Sequence, residues 1–205
     1  MDKTYISQNT IQPDRRGSEL DQVPVINQEA SEDDIPWFAL RLFTVRQMEI
    51  AEMLRGEGLE VFVPMEYVDI EDSKKHVKRV LRPVVRNLLF VKKTISQKAM
   101  RRIITALPYR VSMFRKTPGS IEYYEIPARQ MFEFRAMCNP DILIKKYLSE
   151  TQAKLKAGTP VMVTHGPLKG LQGKLVRSNK KYYLLKEVPG MGVMLKVTKW
   201  CCKPL

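Results

Sequence analysis

From Ser73 to Ile121 the chain contains no aspartate and no glutamate. It also lacks any apolar run near the roughly 18 residues that a membrane-spanning helix needs. Its first 22 residues hold no apolar segment of the kind a signal peptide requires, so the expected location is the cytoplasm. Cysteine is scarce: Cys138, Cys201 and Cys202 are the only three, and no C-x-x-C pair exists to build a zinc site. Histidine is scarcer still. His76 sits in a lysine run and His165 in a glycine-containing turn, neither beside a carboxylate or thiol by motif. No G-x-S-x-G, Walker or H-E-x-x-H pattern occurs. Glu122 and Glu125 read as solubilising acids, and Cys201-Cys202 as a half-buried pair of thiols. An enzyme is therefore not expected, nor a metal or another cofactor.

Cations fill the space that acids leave. The acid-free span carries 14 lysines and arginines, among them Lys74, Lys75, Lys78, Arg79, Arg82 and Arg86. The chain of 205 residues has a net charge of +13, unevenly spread. Residues 1–36 hold three basic and eight acidic residues. They are polar and lack a sustained hydrophobic period, which predicts a disordered acidic leader. A body so basic fits a polyanionic partner, nucleic acid above all.

Val84, Val85, Leu88, Leu89, Phe90 and Val91 lie within Arg82–Lys93, a stretch that reads as one strand. Side chains alternate along a strand. Val85, Asn87, Leu89 and Val91 then share one face, and Val84, Arg86, Leu88 and Phe90 the other. Both faces are mostly apolar. Either the domain covers both itself, or one is left for another protein to cover.

Around that strand the pattern is β-α-β-β-α-β-(β)-α. Trp37–Phe43 reads as a strand. A helix follows, with Thr44 and Gln47 as a capping box and Val45, Met48, Ala51 and Leu54 as its buried stripe. Leu59–Tyr67 reads as a strand with Pro64 at an edge or a bulge, Val68–Val80 as a polar turn or hairpin, and Ser96–Leu107 as a helix stopped by Pro108. Tyr109–Arg115 and Ile121–Ile126 read as strands. Pro127 opens a last helix with Met131, Phe134 and Cys138 on its stripe. Met48, Met53, Met131, Met137 and Met191 read as core filler. The predicted architecture is an α+β sandwich, helices on one face of a mostly antiparallel sheet, over residues 37–138. Residues 139–157 read as a linker whose short helix Ser149 and Gln152 could cap. After it, PVMVTH, GKLVRS, KKYYLLKEV and GVMLKVTKW form a small all-β barrel over 158–205.

The two halves together resemble the NusG family. The likeness lies in Trp37-Phe38-Ala39-Leu40-Arg41, in Glu60 through Met65, and in Arg82-Pro83 through Asn87-Leu88-Leu89-Phe90-Val91, which are similar to the NGN domain. Gly158, Val161, Val163, Gly166-Pro167-Leu168-Lys169-Gly170, Gly173 and Val176 resemble a KOW motif, with Gly166, Gly170 and Gly173 as structural turn residues of an SH3-like barrel. Val85-Arg86-Asn87-Leu88 replaces the F-P-G-Y-like turn of general NusG proteins. It resembles the operon-restricted UpxY-type antiterminators of capsular-polysaccharide synthesis, which also carry a leader.

The resemblance implies a transcription elongation or antitermination factor that is not an enzyme. Its polymerase-binding face would comprise Arg41, Leu88, Phe90 and Phe114, set against the clamp helices of RNA polymerase. A second polymerase contact would come from Met100, Arg101 and Arg102. Closing the clamp would suppress pausing or termination. Lys74, Lys75, Lys78 and Arg79 would touch upstream or non-template DNA, with nascent RNA a further candidate. The KOW domain would bind a ribosomal protein or Rho. The protein is expected to act as a monomer, away from membranes. A general NusG-type factor and a ribosome-associated KOW RNA-binding protein are the alternatives. On these readings Leu88 and Phe90 should be left uncovered by their own chain, so that Leu88→Asp or Phe90→Asp spares the fold and abolishes polymerase binding.

Overall fold

The computed structural model describes residues 34–71, 73, 75–142 and 144–205. The acidic leader, apart from its last residues, and Lys74 lie outside them. In chain order the N-terminal elements are β1 (Trp37–Leu42), α1 (Gln47–Gly56), β2 (Val61–Phe62), β3 (Met65–Glu71), β4 (Val77–Pro83) and β5 (Leu88–Lys92). Then follow α2 (Gln97–Ala106), β6 (Val111–Met113), β7 (Glu125–Ile126) and α3 (Ala128–Met137). One antiparallel sheet runs β2-β5-β1-β6, with β7 also paired to β1. β3 and β4 stand apart as a two-stranded ribbon.

The stretch read as a single strand from Arg82 is thus two elements. β4 ends at Pro83, residues 84–87 turn, and β5 starts at Leu88. Pro64 splits the preceding strand in the same way, because it has no N–H for the ladder; its carbonyl instead accepts from Val84 N at 3.0 Å. The alternation within β5 is as the sequence predicts. Leu89 and Val91 join Phe38, Leu40, Ile50, Leu54, Met100 and Ile104 in a core beneath α1 and α2. Leu88 and Phe90 join the opposite core, with Trp37, Ala39, Met131, Phe134 and Met137. Helices therefore cover both faces of this sheet, not one: α1 and α2 one side, α3 the other.

Local chemistry explains the helix starts. Ser96 Oγ accepts from the Ala99 N–H at 3.2 Å, a side-chain cap for α2. The capping box expected at α1 does not form. Thr44 reaches only the Arg46 N–H, and Gln47 turns inward to donate to the carbonyl of Leu88. That rotation shifts the buried stripe to Gln47, Ile50, Ala51 and Leu54 and leaves Val45 and Met48 at 79% and 41% exposure, so Met48 is not core filler.

The C-terminal half contains β8 (Lys145–Ser149), α4 (Glu150–Lys154), β9 (Thr159–Val163), β10 (Gln172–Ser178), β11 (Lys181–Val188), β12 (Met191–Val197) and β13 (Cys202–Pro204). A short 3-10 turn over Lys199–Cys201 precedes β13. These strands make one antiparallel sheet in the order β13-β9-β10-β11-β12-β8. The stretch read as a linker therefore supplies an edge strand, β8, paired to β12. Its helix α4 is closed by the Ser149–Gln152 capping box, both bonds present. Gly173 is needed for close approach: a Cβ there would lie 2.6 Å from the carbonyl oxygen of Leu185 on the neighbouring strand. The turn between β9 and β10 uses Gly166 and Gly170 at φ +83° and +90°.

Phe90→Ala should cost about 4 kcal/mol, as truncation of a fully buried phenylalanine does. Urea unfolding of the full chain measures it. A loss under about 1 kcal/mol would mean that Phe90 is not core.

Candidate functional site

The expectation of an uncovered Leu88–Phe90 face is overturned. Leu88 is 2% exposed and Phe90 not at all. The two residues lie on one face but have different covers. Phe90 meets α3, its ring 5.5 Å from that of Phe134 in an edge-on arrangement. Phe62 completes the aromatic trio, 6.2 Å from Phe90 and 6.4 Å from Phe134. Leu88 instead lies under the turn between β11 and β12. A Cβ built on Gly190 would sit 2.7 Å from Leu88 Cδ1 and 3.3 Å from Phe114 Cζ. Gly190 has φ +95°, so both its backbone and its lack of a side chain are required here. Beyond the turn, Val188, Met191, Val193 and Leu195 continue the same core.

The physical reason is arithmetic of surface. β5 is apolar on both faces, and α3 is only ten residues long. It reaches the Phe90 end of the face and leaves Leu88 and Phe114 to be covered by the C-terminal sheet. Arg41, opposite Leu88 in the β1–β5 ladder, stays exposed and lays its guanidinium 4.6 Å from the Phe114 ring centroid. Beside it the seam opens into a cleft lined by Arg41, Phe114, Gln130, Glu150, Lys154 and Pro189.

Two polar contacts fix the register of this seam. Glu133 of α3 is buried and forms an ion pair with Lys186 of β11; their side chains are 5% and 13% exposed. Lys186 also donates to the Gln172 carbonyl at 3.0 Å, and Arg129 approaches Glu133 at 3.5 Å. Three residues along α3 from Glu133, Gln130 donates to the carbonyl of Glu187 at 2.8 Å. Cys138 and Tyr147 meet at the same seam, where burial pushes both the thiol and the phenol well above their ordinary values. The Cys138 thiol is accordingly a neutral core group rather than a nucleophile.

The other sequence-predicted residues fall in separate places. Met100 is fully buried in the α2 core and cannot touch a partner, whereas Arg101 and Arg102 on the same helix are exposed. Lys75, Lys78 and Arg79 are exposed on the β3–β4 ribbon, with Arg79 at 4.5 Å over the Tyr67 ring. The ribbon is not uniformly basic: Glu66 faces Arg82 and Asp69 faces Arg79 across the ladder. Both acids lie on β3, before the acid-free span begins at Ser73.

Among the described residues no group of three or more His, Cys, Asp or Glu could hold a metal ion, and no helix is long and apolar enough to cross a membrane. Residues 36–135 match the family model described as "Transcription termination factor nusG". The N-terminal half is thus similar to that family of transcription factors. No curated protein matches the chain.

Sequence reasoning missed Glu133, Lys186 and Gly190. A signal existed for the first: Glu133 interrupts the stripe Met131, Phe134, Met137 and lies two residues from its start. Lys186→Met should destabilise the seam by about 3 kcal/mol, because it leaves the buried Glu133 carboxylate with only the longer contact to the exposed Arg129. Adding Glu133→Leu should recover most of that loss, since an apolar pair of similar size carries no desolvation cost. Thermal unfolding of the two variants checks the difference.

Proposed function

We propose that this chain is an elongation or antitermination factor that docks on RNA polymerase through the end of the apolar face carrying Leu88 and Phe114, with Arg41 at its rim. The occupant of that face would be the clamp helices, an apolar coiled coil. Bound across the DNA cleft, the factor would favour the closed clamp and suppress pausing or termination. Arg101 and Arg102 would reach the opposite side of the cleft. Lys75, Lys78 and Arg79 on the ribbon would hold upstream or non-template DNA through phosphates. Service to a specialised operon, such as one for capsular polysaccharide, is the reading the sequence favours; a ribosomal protein or Rho are the candidate partners of the C-terminal domain.

The observation that carries this reading is the division of cover over one apolar face. Phe90 is closed by α3 of its own domain, but Leu88 and Phe114 are closed by the Gly190 turn of the other domain. A face covered by a tethered neighbour can be uncovered without unfolding the domain that owns it. The C-terminal sheet covers Leu88 and Phe114, so polymerase would have to compete with it for them. The apparent affinity is then lowered by the fraction of molecules that are open.

Gly190→Leu tests this. The added side chain has no room above Leu88 and a backbone unsuited to it, so the seam should open. Co-purification with RNA polymerase should then rise several-fold over the unaltered protein. Leu88→Asp added to Gly190→Leu should abolish that gain, and in vitro transcription across a pause site should follow the same order. The reading fails if small-angle scattering shows an opened Gly190→Leu protein whose polymerase binding is no stronger. In the unaltered protein, Leu88→Asp alone would bury a carboxylate under the turn and disturb the seam, so it is not the clean docking mutation that an exposed face would have allowed.

A further inference from the structure

Helix α2 presents to solvent a face whose charges are all of one sign. Its buried residues are Met100 and Ile104. On the opposite side Lys98, Arg101, Arg102 and Thr105 follow at helical spacing, and all four are exposed. Cations on a helix can be offset by acids three or four positions away. Here none is available, because the nearest acids in the chain are Asp72 and Glu122. Among the described residues Lys98, Arg101 and Arg102 form no ion pair.

The chain enters the first domain close to this helix. The Pro36 carbonyl accepts from the Lys93 N–H at 2.9 Å, and α2 starts four residues after Lys93. Lys98 is five residues from Lys93, so their backbones are at most about 18 Å apart. Just upstream of Pro36 stand Glu29, Glu32, Asp33 and Asp34, four acids in six residues with no cation among them. Extended, that segment would cover about 20 Å, against about 15 Å for the ten residues of α2. Other cations near this entry are already matched. Lys92 and Arg135, both beside Trp37, pair with Glu60 at 3.1 and 3.2 Å, and Lys93 pairs with Glu125 at 2.6 Å. The β3–β4 ribbon supplies acids of its own, Glu66, Asp69 and Glu71.

We propose that the acidic segment Glu29–Asp34 docks on the Lys98–Arg101–Arg102 face of α2 in the free protein. Four carboxylates then meet three cations that have no other partner. Each exposed pair is worth little alone. The tether changes the balance: with so few residues between Pro36 and the acids, their effective concentration at α2 is of millimolar order. The contact is electrostatic and weakens as salt rises. It covers Arg101 and Arg102, which the docking reading assigns to the opposite side of the polymerase cleft, so a partner arriving there would displace the segment. The contact itself does not rest on that reading.

The test uses the full chain without polymerase. A zero-length carbodiimide joins a carboxylate to an ammonium only where the two touch. Peptide mass spectrometry should find Lys98 amide-linked to Glu32, Asp33 or Asp34. Arg101→Gln with Arg102→Gln leaves both reacting groups in place, yet should lower that yield several-fold, as should salt raised to about 0.5 M. Glu29→Gln, Glu32→Gln, Asp33→Asn and Asp34→Asn together should shift the backbone amide resonances of Gln97–Ala106. A Lys98 product insensitive to the arginine substitutions would overturn the proposal, since the tether alone would then explain it. Absence of that product, coupling confined to Lys92 and Lys93, or amide shifts on Val77–Pro83 in place of α2 would overturn it as well. None of these outcomes bears on the Leu88–Phe114 surface, which the Gly190→Leu experiment reads separately.

Discussion

Two-sided burial of β5 is the constraint from which the rest of this structure follows. Leu89 and Val91 need one cover, Leu88 and Phe90 another. A half-exposed antiparallel sheet would need helices on one side only. Here α1 and α2 satisfy the first requirement, and α3 satisfies part of the second. The residue left over, Leu88, sets where the C-terminal domain must sit. Gly190 lies above it with no side chain, and Glu133 and Lys186 lock the neighbouring strand in register. A domain pairing that looks like an accident of packing is thus dictated by one short strand with no polar face.

The pairing is stabilised chiefly by apolar burial. Its centre is apolar and contiguous with both domain cores, so the closed state is stable. Its directional contacts are few. The buried ion pair adds specificity more than stability, since desolvating Glu133 and Lys186 offsets much of their attraction. An interface stabilised by burial alone can be replaced by any apolar surface of matching shape.

Much of the fold was legible in the sequence because hydrophobic period and turn residues carry it. Ser96, Pro127 and the Ser149–Gln152 box stand where caps and starts were expected. The failures have local causes. Gln47 fits a capping box by spacing, but the Leu88 carbonyl at the sheet gave its amide a buried partner, and the helix rotated with it. Lys145–Ser149 reads as linker because KKYLS is half polar; only pairing with β12 makes it a strand. The cover of Leu88 was beyond reach altogether. Alternation along β5 says that a face is apolar, not whose atoms lie on it, and Gly190 is 102 positions away.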